Sequence, residues 1–296
     1  MDQTFFGAVG WRDDRVEVQR SRFIGCDAQS FSYWSVDPAL GDWRIDLAPG
    51  LADDSASDGA SVALSVAGRL VLIHTNGTVT YLPPSTGGAL GKLQATTYGG
   101  YVFVGTTRLS RLSPKLDRVT SVALPTGYAL AAPTSDPDRF ILALASEAAR
   151  IPWGLTKEPY HAYLWTVGTA HPTLLANSVS SIEPSGTWLA YVMLSTGDER
   201  AVGRGGALQR VRLPAPWLYR SGDDREYLDL ADPNSEAAQT ITLRSTATGR
   251  ALATVVASPS YAIWHGASAA FVPRSDQPAQ DLVVLSPGST LLVPLP

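Results

Sequence analysis

A weak repeat of roughly forty residues runs the length of this chain and restricts what it can fold into. Each copy is a turn followed by a short apolar strand. The copies are Ser65–Ile73 (SVAGRLVLI), Thr97–Val104 (TYGGYVFV), Ser135–Ala143 (SDPDRFILA) and Glu183–Tyr191 (EPSGTWLAY), with a looser one at His265–Val272 (HGASAAFV). The turn residues Gly68, Gly100, Asp138, Gly186 and Gly266 are spaced 32, 38, 48 and 80 apart. The gap of 80 holds two units, with Gly222–Arg225 as the intervening turn, and one more unit fits upstream around Cys26–Gln29. A period of this size, with four short strands in each unit, predicts an all-β fold built as a single β-propeller of four-stranded antiparallel blades.

Seven units are favoured, at 12–51, 52–90, 91–127, 128–177, 178–218, 219–258 and 259–296. Six is the alternative, if the first fifty residues cap the ring or complete another blade. Together they make one domain over 1–296. A ring also requires its two termini to meet in or beside one blade, because an open ring exposes sheet edges.

The strand signals are local. Apolar runs are short, rich in β-branched and aromatic residues, and punctuated by turn residues. The clearest hairpin is Leu70–Leu82, where Asn76-Gly77 predicts a type I′ turn with positive φ at both central residues. Tyr101–Leu112, Ala162–Val167, Leu189–Leu194, Thr240–Arg244 and Ala269–Leu285 read the same way. Helical periodicity is best over Phe140–Ile151, but the apolar run after Asp-Pro-Asp makes most of that window strand. Glycine (26) and proline (21) are spread along the chain, as strand-turn-strand folds require.

The turn-strand element resembles those of TolB-like and WD40-like propellers, in which a Pro-Asp-Gly turn precedes an aromatic or apolar strand. Glu183–Tyr191 and Ser135–Phe140 carry the resemblance. It covers the repeat and no functional motif, and no Gly-His to Trp-Asp pair recurs. It implies a fold and a tendency toward protein contacts, with no active-site residues to carry over.

Composition excludes several functions. The net charge is −4, and three Lys (Lys92, Lys115, Lys157) and twenty Arg are scattered with no basic stripe. A nucleic-acid binder concentrates that charge on one face, so no nucleic-acid partner is expected. No run approaches eighteen apolar residues, so no membrane span is expected. The N-terminus has neither the basic start nor the apolar core of a signal peptide, which points to the cytoplasm unless a leader or anchor has been removed. Cys26 has no second cysteine to pair with and reads as a small, partly buried residue.

Chemical motifs are absent. His74, His161, His171 and His265 lack metal-ligand spacing and read as scattered. Asp13-Asp14, Asp53-Asp54 with Asp58, and Asp223-Asp224 with Glu226 read as solvated loops without the calcium-loop pattern. There is no Gly-x-Ser-x-Gly elbow, and Gly203–Gly206 is a flexible loop rather than a phosphate cradle. No catalytic residue, metal site or cofactor is assigned.

The aromatic residues are more informative. Trp34, Trp43, Trp153, Trp165, Trp188, Trp217 and Trp264 fall one or two to each unit that holds any, and most read as packing between sheets. Trp153 and Trp217 instead sit in the Pro-flanked stretches Ile151–Gly154 and Pro214–Tyr219, near the longer connections 148–161 and 196–206. Binding residues concentrate on such loops. The expected surface is one rim of Trp153, Tyr160, Arg200, Arg204, Trp217 and Tyr219, contacting a protein partner. The chain therefore reads as a non-enzymatic interaction module, of the kind that serves as a subunit of a larger assembly. A carbohydrate-binding or carbohydrate-active propeller is the alternative, and a metal-dependent propeller hydrolase is a further one.

Overall fold

The computed structural model describes the chain except residues 1, 25–26, 48–53, 67–68, 83–92, 105–107, 151–157, 184, 213–214, 216–219, 233–236, 259, 261, 274–279 and 296. It comprises two compact units, one formed by Met1–Pro83 with Pro214–Pro296 and the other by Pro84–Leu213.

The first unit holds four sheets. β1 (Asp2–Arg12), β2 (Arg15–Ile24), β3 (Asp27–Asp37) and β4 (Asp42–Leu47) form one, and β5 (Asp54–Ser57), β6 (Val62–Val66), β7 (Arg69–Ile73) and β8 (Val79–Leu82) the next. The second unit opens with β9 (Leu93–Ala95), β10 (Tyr101–Val104), β11 (Arg108–Leu112) and β12 (Val119–Ala123). A seven-stranded sheet follows: β13 (Tyr128–Pro133), β14 (Arg139–Leu144), β15 (Tyr160–Thr166), β16 (Thr173–Glu183), β17 (Ala190–Leu194), β18 (Glu199–Val202) and β19 (Leu208–Arg210). Back in the first unit are β20 (Glu226–Leu230), β21 (Gln239–Ser245) and β22 (Ala251–Ala257), then β23 (Ile263–His265), β24 (Ser268–Phe271), β25 (Asp281–Ser286) and β26 (Ser289–Pro294). Every pairing between these strands is antiparallel and between sequence neighbours, so each sheet is a meander. Arg220 bridges to Tyr227 beside β20.

The seven-stranded sheet arises from the length of β16. Its first half pairs with β15, from Thr173 opposite Leu164 to Val179 opposite Tyr160. Its second half pairs with β17, from Val179 opposite Leu194 to Glu183 opposite Tyr191. One strand thus closes one four-stranded meander and opens the next.

Middle strands are buried on both faces, as sheets stacked face to face require. β6 is buried throughout, and β14 and β25 along their central four residues. The last strand of a meander instead opens to water: β12 alternates exposed and half-buried positions, and Leu291 and Leu292 of β26 are exposed. This explains why the middle strands read as apolar runs and the outer ones as polar alternation.

Both faces of the first sheet are occupied within its unit. Trp11, Val16, Val18 and Val36 pack with Ala270, Val272, Leu282 and Val284 of the last sheet. Tyr33 packs on the other face with Val62, Leu64 and Val71 of the second sheet. No ladder joins the first and last sheets: β1 pairs with β2, and β26 with β25. Side chains hold that seam. The indole N–H of Trp11 donates to the Ile263 carbonyl at 3.2 Å, and its ring stacks on His265 at 5.7 Å between centroids.

Several local expectations change. Only Gly77 of the Asn76-Gly77 pair has positive φ (82°), so the turn is not type I′. Gly77 N–H donates to the His74 carbonyl and His74 N–H to the Thr78 carbonyl, which makes a type I turn closed by a glycine bulge. Asn76 stays out of the left-handed region because its Oδ1 accepts the Thr78 N–H and hydroxyl. The Gly203–Gly206 segment is not a flexible loop but the same turn, closed by Gly206 N–H on Gly203 O and Gly203 N–H on Ala207 O. The 140–151 window divides into β14 and a 3₁₀ turn, Ala145–Arg150. The first sheet begins at Asp2, ten residues ahead of the unit read from 12. Gly7 and Gly10 dilute the apolar pattern of β1, whose register also shifts between Ala8 and Gly10. Among the described residues no helix is long and apolar enough to cross a membrane.

Gly10 marks a close approach of the first two sheets. A Cβ there would collide with Cβ of Ser57 and touch Val62, whereas a Cβ on Gly7, three residues earlier on the same strand, meets nothing within 4 Å. Gly10→Ala is expected to cost about 1–3 kcal/mol, as overpacking does, while Gly7→Ala leaves stability unchanged or raises it. Chemical denaturation of the two variants checks this.

Candidate functional site

The alternation of β15 sorts its side chains onto two faces. Tyr160 and Ala162 point into a core with Ile141, Val179 and Val192. Tyr163 and Trp165 lie on the opposite face, where Trp165 packs with Val102, Leu109 and Phe140. His161 belongs to this second face, at the end where the strand begins.

His161 is held by a carboxylate from the preceding connection. β14 ends at Leu144, and the following 3₁₀ turn buries Glu147 to 8% exposure. The two Glu147 oxygens divide their work: Oε2 accepts the backbone N–H of His161 at 3.0 Å, and Oε1 lies 2.8 Å from its Nδ1. A buried carboxylate needs such donors to offset its lost hydration. The contact places the ring proton on Nδ1 and turns Nε2 outward. The imidazole is 41% exposed, so Nε2 is available to whatever approaches.

Two tyrosines extend the site. Tyr163, two residues along the strand from His161, meets Tyr128 of β13 edge-to-face at 5.1 Å between centroids. Burial, then the neighbouring Tyr128 and the charge of Glu147, push the Tyr163 hydroxyl above its usual range, so it stays a hydrogen-bond donor. The arrangement is a half-exposed aromatic surface with one oriented imidazole. It can stack on a ligand and donate and accept hydrogen bonds.

The residues expected on one rim are not all brought together. Tyr160 is 2% exposed, and burial holds its phenol above the usual range, so it supports the site from beneath. Arg200 lies at the same end of the seven-stranded sheet, since Tyr160, Val179 and Leu194 form one row and the 194–198 turn follows. Its guanidinium is 3.3 Å from the Asp198 carboxylate. Arg204 lies past the far end of β18, in the turn where its carbonyl accepts the guanidinium of Arg139. Trp153, Trp217 and Tyr219 lie outside the described residues, as does Cys26.

The other histidines are dispersed. Nε2 of His74 is 2.8 Å from Thr80 Oγ1, His171 is exposed, and His265 stacks on Trp11. Among the described residues no three His, Cys, Asp or Glu side chains converge as metal ligands. The acidic loops are tied up locally: Asp58 accepts Ala60 N–H and Ser61 N–H, and Asp224 pairs with Arg220 at 2.8 Å. Among the tryptophans, Trp165 is fully packed, while Trp43 and Trp264 lie half-buried against cores. Glu147 escaped the sequence reading because it sits fourteen residues from His161, across a connection that breaks all periodicity. The one signal was an acidic residue placed where a strand gives way to a turn.

Glu147→Ala is expected to cost about 1–3 kcal/mol, because it strands a buried N–H. It also frees the imidazole to exchange its proton between the two nitrogens. Nitrogen-15 NMR of the histidine rings checks this: a single Nδ1–H form of His161 gives way to a mixture of tautomers.

No family model matches this chain, and no curated protein matches it. Among solved structures it is similar to the β-propeller domain of the Trilobed protease from Pyrococcus furiosus, at 8% identity and a TM-score of 0.61 over 98% of each chain. It is also similar to a Mycobacterium tuberculosis puromycin-hydrolyzing peptidase, at 14% identity and 0.59, covering 98% of this chain and 53% of that one. A prolyl endopeptidase is similar at 16% identity and 0.55, with 99% of this chain and 50% of that one. The chain spans about half the length of these last two peptidases. Identities this low carry the fold alone, and that fold is a β-propeller.

Proposed function

We propose that this chain is a non-enzymatic propeller module that holds a polypeptide partner at the His161 end of its seven-stranded sheet. With β16 counted as ending one meander and opening the next, the sheets make up the seven blades of the one domain in this reading. The observation that carries the function is the half-exposed surface of Tyr128, Tyr163 and His161. Its imidazole is oriented by a buried carboxylate. Aromatic side chains on a rigid support bury much area for little lost entropy, which suits them to anchor a partner. The likeness to propeller domains of peptidases supports a polypeptide as the class of partner. Arg200 belongs to this surface through its end of the sheet, and Trp153 is a candidate from the sequence. Trp217 and Tyr219 are further candidates.

A hydrolytic reading has one observation in its favour. An imidazole held through Nδ1 by a carboxylate is the base half of many hydrolase sites. It predicts turnover of peptide or ester substrates by the isolated protein, lost in His161→Ala.

The test is affinity capture from the native source with the wild-type chain, His161→Ala, Tyr163→Ala, the Trp153→Ala/Trp217→Ala double variant, and Arg204→Ala at the opposite end of the sheet. The first three variants are expected to lose the partner with melting temperatures within a few degrees of wild type, while Arg204→Ala retains it. Retention by the first three together with loss in Arg204→Ala would move the surface to the other end. Retention by all four would remove it from this sheet.

A further inference from the structure

The first unit buries a set of charges that the proposed site does not use. Arg12 of β1, Glu17 of β2 and Asp46 of β4 are 2%, 0% and 9% exposed. The guanidinium of Arg12 donates to the His74 and Thr75 carbonyls at 2.9 and 3.0 Å and to Asp46 Oδ2 at 2.6 Å. Its Nε lies 3.7 Å from Glu17 Oε2. Arg12 therefore ties the first sheet to the 74–78 turn of the second. Gly77 leaves room for it, since a Cβ there would come within 3.4 Å of Nη1.

The charges do not balance. Two carboxyls face one buried guanidinium, and neither Glu17 oxygen has a donor if the group is ionised. With a proton on it, Glu17 can donate to the Asp46 carboxylate. Burial first, then the charge of Asp46 and that hydrogen bond, hold the Glu17 carboxyl well above the usual range, against the pull of Arg12 and Arg15. Arg15 is itself engaged with Ser35 and Asp42. From the second sheet the described groups at this place are the two carbonyls, the His74 imidazole being turned to Thr80.

We propose that Glu17, Asp46 and Arg12 form a proton-operated latch, in which a proton shared by the two carboxyls keeps Arg12 on the 74–78 turn and its loss releases that turn. The direction follows from linkage. A carboxyl held above its unfolded value stabilises the closed form fully below the ordinary glutamate range, and that contribution is lost as pH rises through the folded value. Two buried carboxylates then compete for one guanidinium, and a buried unpaired charge drives the two sheets apart. Release reaches the seam with the last sheet through Trp11, which adjoins Arg12 and contacts Ile263 and His265.

Hydrogen exchange across a pH series, corrected for the intrinsic base-catalysed rate, tests the latch in wild type, Glu17→Gln and Asp46→Asn. In wild type the opening of residues 10–18 and 74–79 should grow by up to about tenfold per pH unit between the ordinary glutamate range and the folded value of Glu17, and level off above it. It should stay flat in Glu17→Gln, whose amide cannot ionise. In Asp46→Asn the growth should level off at a lower pH, since the charge and the acceptor that raise Glu17 are gone. Infrared spectra of wild type should show the carbonyl stretch of a protonated carboxylic acid above the ordinary glutamate range. Absence of that band, or the same pH dependence in Glu17→Gln as in wild type, overturns the proposal. Should Glu17→Gln fail to fold, the wild-type band and its titration decide the matter.

Discussion

Adjacent residues of a strand point to opposite faces of its sheet, and Trp11 and Arg12 use this to bind the first sheet on both sides. Trp11 enters the last sheet, through an apolar core and one hydrogen bond to Ile263. Arg12 enters the second, through two carbonyls and the Asp46 carboxylate. Among the described residues no ladder joins the first and last sheets, and a single bridge from Arg12 to Gly59 joins the first to the second, so side chains carry most of both seams. That is a demanding arrangement. Apolar packing tolerates small shifts, whereas a buried guanidinium needs every one of its acceptors in place. The absence of a side chain at Gly10 belongs to the same constraint, since the sheets meet there too closely for even a methyl group.

Glu147 and Glu17 solve the problem of burying a carboxylate differently. Glu147 is buried but satisfied, each oxygen on a separate donor of His161. It spends its charge on orienting an imidazole that is left half open to solvent. Glu17 is more deeply buried and shares Arg12 and Arg15 with Asp46 and Asp42, so a proton is its natural partner. One carboxylate builds a surface, and the other makes a contact between sheets sensitive to pH.

Much of the architecture was legible in the residues. The turn-strand copies mark strands that the structure contains, and the run from Tyr101 to Leu112 folds as β10 and β11. Trp165 is packed between sheets as its spacing implied. The errors were local in origin. Asn76-Gly77 is a common type I′ pair, but the side chain of Asn76 binds its own loop and selects another turn. Gly203–Gly206 looked flexible because glycines are permissive, yet two backbone hydrogen bonds close it. The expected rim mixed two ends of one sheet. Arg200 and Arg204 are four residues apart, which on a four-residue strand places them at opposite ends.

What the sequence by itself determined is the class of fold: short strands, glycine turns at a repeating interval, and apolar runs that must be covered on both faces. Those features are local, and local chemistry decides them. The tertiary structure alone decided which distant groups meet. Glu147 reaches His161 across a fourteen-residue separation, Arg12 reaches a turn more than sixty residues away, and Trp11 reaches Ile263 near the other end of the chain. No periodicity encodes such meetings. They depend on how sheets stack, and stacking is set by the summed fit of many side chains rather than by any one motif.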